Sequence, residues 1–124
     1  MSKSFIEHLH YIRIPVRDLE QSVQWYKNIL GFKLLTITED PFAIFKISEG
    51  PQLITLVPTE NETFIHFTID NKSAFSLGFA SPELEAFHQH LIDHGVQVED
   101  IQEDQGHAYF IFYDLNGNKL QAHW

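Results

Sequence analysis

Two stretches of this chain follow one plan: YIRIPVRDLEQSVQWYKNILGFKL near the start and FSLGFASPELEAFHQHLIDHGVQV past the midpoint. Each reads as an alternating strand, an acidic-Leu-Glu helix start, an amphipathic helix, a Gly stop and a further strand. Asp18 and Glu83 stand 65 residues apart, and a second echo, SEGPQLITLV and LNGNKLQAHW, places Gly50 and Gly117 67 apart. Two copies are too few for a solenoid, so the repeat reads as a duplicated small fold. Duplication creates a seam between halves, and seams are where pockets form.

The alternation sets the faces. Ile12, Ile14 and Val16 share one side of a strand at about 8–16, with Tyr11, Arg13 and Pro15 on the other. Asp18 is a helix N-cap with Gln21 as its capping-box partner, and Leu19, Val23, Tyr26 and Leu30 form one helical stripe ended by Gly31. Strands follow at about 32–39, 42–48 and 52–58. In the second half a strand over 75–80 precedes a helix capped by Ser81 with Pro82 at its first position. Leu84, Phe87 and Leu91 form its stripe, Gly95 stops it, and strands at about 96–102, 107–113 and 118–124 complete the unit, with Asn116-Gly117 as a turn signal. Residues 63–70 (TFIHFTID) lie outside the repeat and read as an added strand, hairpinned to 74–80 through Asn71-Lys72-Ser73. The fold class expected is α+β: tandem βαβββ units, at about 7–60 and 74–124, in a single domain over residues 1–124.

A formal net charge of −9 argues against nucleic acid or an anionic membrane as a partner. With no cysteine, disulfides, thiol catalysis and Cys-ligated zinc are excluded, in keeping with a cytoplasmic location. The N-terminal segment reads neither as a signal peptide nor as a membrane span. No Ser-His-Asp order, phosphate-cradling glycine loop or defensible carboxylate pair stands out.

The run Pro15-Val16-Arg17-Asp18-Leu19-Glu20-Gln21-Ser22, then Trp25-Tyr26 and Leu30-Gly31-Phe32, resembles the vicinal oxygen chelate superfamily of glyoxalase I, extradiol dioxygenases and fosfomycin and bleomycin resistance proteins. The closing Phe112-Tyr113-Asp114-Leu115-Asn116-Gly117-Asn118-Lys119-Leu120 is similar to that superfamily's terminal motif. The resemblance implies two half-barrel units, a homodimer and, in metal-using members, one divalent ion held by His or Glu at four matched positions. Those positions read here as Tyr11, Ile54, Ser76 and Gln121, none a strong ligand for a hard or borderline cation.

The expectation is therefore a protein without metal or cofactor that binds a small, partly aromatic or anionic ligand in the concave sheet. Tyr11, Arg13, Ser76, Gln121 and His123 are its binding residues. Arg13 shares parity with Tyr11 and, if buried, needs an anionic ligand or an internal carboxylate. Tyr11, Phe42, Phe45, Tyr109, Phe110 and Tyr113 are aromatic candidates for walls or core. The His90/His94 pair, four apart on a helix, reads as solvated surface. Two alternatives stay open: a metal-dependent lyase or dioxygenase with displaced ligands His10, His66 and His123, and an interaction protein with a vestigial pocket.

Overall fold

A computed structural model describes residues 3–124. The first unit runs β1 (Tyr11–Val16), α1 (Leu19–Asn28), β2 (Lys33–Ile37), β3 (Ala43–Lys46) and β4 (Leu53–Pro58). A hairpin of β5 (Phe67–Ile69) and β6 (Lys72–Ala74) follows, then β7 (Gly78–Ala80), α2 (Leu84–Asp93), β8 (Gln102–Asp104), β9 (His107–Tyr113) and β10 (Lys119–His123). The two units form separate four-stranded sheets with matching orders, β1-β4-β3-β2 and β7-β10-β9-β8. In each, the first and last strands pair in parallel and the others antiparallel. The sheets stay open and do not close into a barrel. No helix among the described residues is long and apolar enough to cross a membrane.

Both helices bury the stripe that their spacing provides. Asp18 caps α1, its Oδ1 accepting from the Gln21 backbone N–H at 2.9 Å, and Val23 and Tyr26 sink against Ile14, Phe45, Ile54 and Leu56. Gly31, at φ +74°, and Gly95, at φ +70°, turn the chain out of their helices in a conformation that glycine adopts without steric cost. On α2, Leu84 and Leu91 pack on Phe110, Phe112 and Leu120. Its cap departs from expectation. Ser81 precedes a turn formed by Pro82 and Glu83, and Glu83 occupies the cap position without a side-chain hydrogen bond. The serine's own N–H is committed to the His123 carbonyl, holding it to the sheet instead.

The strand outside the repeat also differs in detail. It is shortened to Phe67–Ile69 and pairs with Lys72–Ala74, turning on Asp70 and Asn71, not on Asn71-Lys72-Ser73. Both turn residues have positive φ (50° and 65°), as a two-residue hairpin turn of matching twist requires. This leaves β7 only three residues long and free to pair with β10.

The units are fastened at one end by a polar clasp. The turn between β9 and β10 carries Asp114, which is buried and accepts from the Tyr26 hydroxyl at 2.5 Å, the Asn118 side chain at 2.8 Å and the Asn116 and Asn118 backbone at 2.8 and 3.0 Å. Asn118 also donates to the Pro15 carbonyl and accepts from Ile65 N–H. Asn116 accepts from Arg17 N–H and donates to Ser22. One short turn thus satisfies groups on β1, α1 and the linker.

Burial and the neighbouring Asp114 carboxylate push the Tyr26 phenol well above its ordinary value, and burial with Glu99 raises Tyr113 to about 12. An unfolded chain loses tyrosine protons near pH 10, whereas the folded chain keeps these two. The stability these two groups contribute is therefore complete below about pH 10 and declines as pH rises toward 12. Thermal melts across that range will show the decline, and it will be shallower in Tyr26→Phe. At pH 7.5 that substitution leaves a buried carboxylate one donor short and will cost about 1–3 kcal/mol in urea denaturation.

Candidate functional site

The strand register defines which positions of the two units correspond. Gln121 pairs with Gly78, and Arg13, the counterpart of Gly78, pairs with Thr55. Gln121 therefore corresponds to Thr55. Ile54, the counterpart expected from the Gly50–Gly117 echo, faces the α1 core and is fully buried. The cause is turn length: six residues separate Lys46 from Leu53, but five separate Tyr113 from Lys119. Thr55 and Gln121 are 7% and 9% exposed, so little of either is open on the concave side.

The five expected binding residues are dispersed. Tyr11 is exposed and lines a cavity described below. Arg13 is exposed rather than buried, its guanidinium 5.0 Å from the Phe42 ring, so it needs no internal carboxylate. Ser76 donates to the Ile65 carbonyl at 2.6 Å and ties the linker to the start of β7. Gln121 leans on Gly78, where a Cβ would stand 3.0 Å from its Oε1. His123 meets His107, Nδ1 to Nε2, at 3.2 Å, and the His107 ring stacks on Tyr109. Of the aromatic candidates, Phe45 and Phe110 are core.

The histidines offered as displaced ligands do not converge. His66 accepts from the Lys119 backbone N–H at the start of β10, whereas His123 lies at its end. His10 is at the cavity rim. His90 and His94 use ring nitrogens on the carbonyls of Ile29 and His90. Among the described residues no three His, Asp or Glu stand close enough to hold a metal ion. The side chains at the four matched positions do not fit the divalent ion that the fold holds in metal-using relatives.

What the structure does provide is a cavity of about 570 Å³ between the start of β1 and the end of β7. Its walls are mostly apolar, with Ile12, Phe32, Ile54, Leu77, Phe79 and Phe87 among them, and His10, Tyr11, Gln52 and Ser81 supply polar atoms. This volume and mixture suit a small organic ligand. The cavity occupies the position that the repeat equates with the clasp. The clasp residues Pro15, Ser22 and Asp114 correspond to Ala80, Phe87 and Ile47, and Asn118 corresponds to Gln52. All four of these counterparts line the cavity. At one end of the seam the duplicated turn carries carboxylate and amides and closes the gap. At the other it carries Ile47 and Gln52, which cannot reproduce that network, and the gap persists. Ile47 and Gln52 were not among the residues singled out from sequence, and Phe87 was read only as part of the stripe of the second helix. The signal was present as a mismatch at the residue just before each copy of the second echo, Asp114 against Ile47.

Over residues 8–122 the chain matches the Glyoxalase/Bleomycin resistance protein/Dioxygenase superfamily, and it belongs to that superfamily. It is 26% identical to a catechol-2,3-dioxygenase of Bacillus subtilis (strain 168), across 94% of this chain but only 41% of the relative. The chain thus spans less than half the length of that curated relative. Among solved structures it is similar to TnmS3, an antibiotic binding protein from Streptomyces sp. CB03234, with a TM-score of 0.79, 20% identity and 97% coverage of both chains. It is also similar to a lactoylglutathione lyase from Agrobacterium tumefaciens, with a TM-score of 0.73, 15% identity and coverage of 97% of this chain and 95% of the other. These two likenesses establish a shared fold.

One titrating group lies beside the clasp. Desolvation, followed by the Lys119 charge, lowers the His66 imidazole below its ordinary value, although Asp114 opposes the shift. Its Nδ1 accepts from a backbone N–H, so protonation there costs that bond. The unfolded chain takes up the proton near pH 6.5 and the folded chain only below it, so this contribution to stability is complete above 6.5 and is lost as pH falls. Two-dimensional NMR titration of the imidazole will place the His66 midpoint below 6.5.

Proposed function

We propose that this chain is a metal-independent binding protein for a small, largely apolar and partly aromatic molecule, held in the seam cavity without bond cleavage. The observation that carries this reading is the apolar cavity, in a chain whose matched ligand positions hold Tyr11, Thr55, Ser76 and Gln121. Tyr11, Gln52 and Ser81 supply orienting polar groups, and Phe32, Phe79 and Phe87 supply aromatic surface. A protein of the same fold, TnmS3, is an antibiotic binding protein, which supports a binding role on this scaffold. The absence of cysteine suits a cytoplasmic setting.

The likeness to a catechol-2,3-dioxygenase favours a second reading, a metal-dependent oxygenase or lyase. That chemistry needs open positions on a held ion, and this chain would need a ligand set outside the four matched positions.

A ligand bound only by the folded chain at a hundred times its Kd stabilises by about 2.7 kcal/mol, so a panel of small aromatic compounds, with 1-anilinonaphthalene-8-sulfonate as fluorescent reporter, will raise the melting temperature. Binding will persist in EDTA and be weakened in Ile47→Trp, whose indole projects into and narrows the cavity; circular dichroism checks that the variant is folded. Near-stoichiometric Mn, Fe, Ni or Zn in protein purified without chelators, together with binding that EDTA abolishes, would overturn this reading in favour of the second.

A further inference from the structure

The seam cavity is walled without fixed charge. Among the described residues that line it, none is Asp, Glu, Lys or Arg, although these types make up 20% of the chain. Tyr11, Gln52 and Ser81 bring hydroxyls and an amide, which carry no charge. His10 is exposed at the rim, edge-on to the His8 and Tyr11 rings, and His8 is paired with Glu7 at 3.3 Å. Charge placed there is screened by water and salt. Two cations on the first sheet are engaged elsewhere. Lys46, opposite Leu53 in register, meets Glu49 at 3.9 Å, and Arg13 lies over Phe42.

The divergence of the two units accounts for this lining. At the clasp the repeat places a carboxylate, Asp114, beside the Asn118 amide, 2.8 Å apart. The equated cavity positions hold Ile47 and Gln52, so the amide is kept and the charge is gone. A charged group moved from water into such a site loses hydration and finds no partner. For an anion the field of a chain with net charge −9 adds to that penalty. A cation is drawn toward the protein by the same field but meets no carboxylate inside.

We infer that the seam cavity selects uncharged molecules over both anions and cations, and that the neutral amide of Gln52 sets this selection. The selection rests on the reading of the cavity as the binding site, and narrows its ligand from any small aromatic compound to an uncharged one. Gln52 lines the cavity yet is exposed, so a substitution there changes the charge of the wall and leaves the core untouched.

Three naphthalenes of one shape and different charge test it: 1-naphthalenemethanol, 1-naphthoate and 1-naphthylmethylamine. Each competes with the uncharged dye N-phenyl-1-naphthylamine at about pH 8, where an ordinary imidazole is neutral. The alcohol will bind about tenfold more tightly than either ion. 1-Anilinonaphthalene-8-sulfonate, the same dye with its sulfonate kept in water at the rim, will bind about tenfold more weakly than the uncharged parent. Gln52→Glu, nearly identical in shape, will improve the amine relative to the alcohol about fivefold, and Gln52→Lys will do the same for the naphthoate. Circular dichroism checks that both variants are folded. A naphthoate or an amine that binds the wild type as tightly as the alcohol overturns the selection. Relative affinities unchanged in both variants overturn the role of Gln52. A wild type that binds neither the dye nor any of the three naphthalenes sinks the binding reading, and the selection with it.

Discussion

The Asp114 carboxylate holds this architecture together. It collects four donors in a buried position: one from α1 of the first unit and three from its own turn. Each neutral hydrogen bond contributes little net free energy, but leaving a buried carboxylate without donors is expensive. The network therefore specifies an arrangement more than it adds stability: Tyr26, Asn116 and Asn118 supply the donors that a buried Asp114 needs, and each one lost raises the cost of burying it. Through Asn118 the same turn fixes the end of β1 and the linker at Ile65. With the linker set, His66 and Lys119 hold the β5–β6 hairpin against the second sheet.

Much of the fold was legible because its signals are local or periodic. The Asp18 cap, the helical stripe Val23–Tyr26, the glycine stops and the alternation of Ile12, Ile14 and Val16 all act within a few residues, and the duplication doubles each signal. Ser81 and Pro82 misled because the serine is claimed by the sheet through the His123 carbonyl, a tertiary contact that sequence spacing does not encode. The hairpin turn shifted by one residue because Asp70 and Asn71 both accept positive φ.

The site was less legible, for a different reason. Strand parity assigns a side chain to a face but does not say whether that face is open. Thr55 and Gln121 are nearly enclosed, Ser76 is spent on the linker carbonyl, and Arg13 lies over Phe42. A single extra residue in the β3–β4 turn moved the counterpart of Gln121 from Ile54 to Thr55. The seam itself was anticipated from the repeat; that it is sealed at one end and open at the other depends on what each copy of the turn has become. Superfamily membership sets the scaffold, and many chemistries share it. What distinguishes this chain is the divergence between its two copies, polar in one turn and apolar in the other.

A seam fastened at one end has a mechanical consequence. The clasp grips the C-terminal end of β1, while the cavity lies at its N-terminal end. The clasp is thus a fulcrum and β1 a lever. A strand of six residues spans about 20 Å, so a relative rotation of the sheets by about three degrees at the fulcrum changes the far gap by about 1 Å. The aperture is geared to a distant turn, and the stiffness of the Asp114 network sets how far the jaws can part.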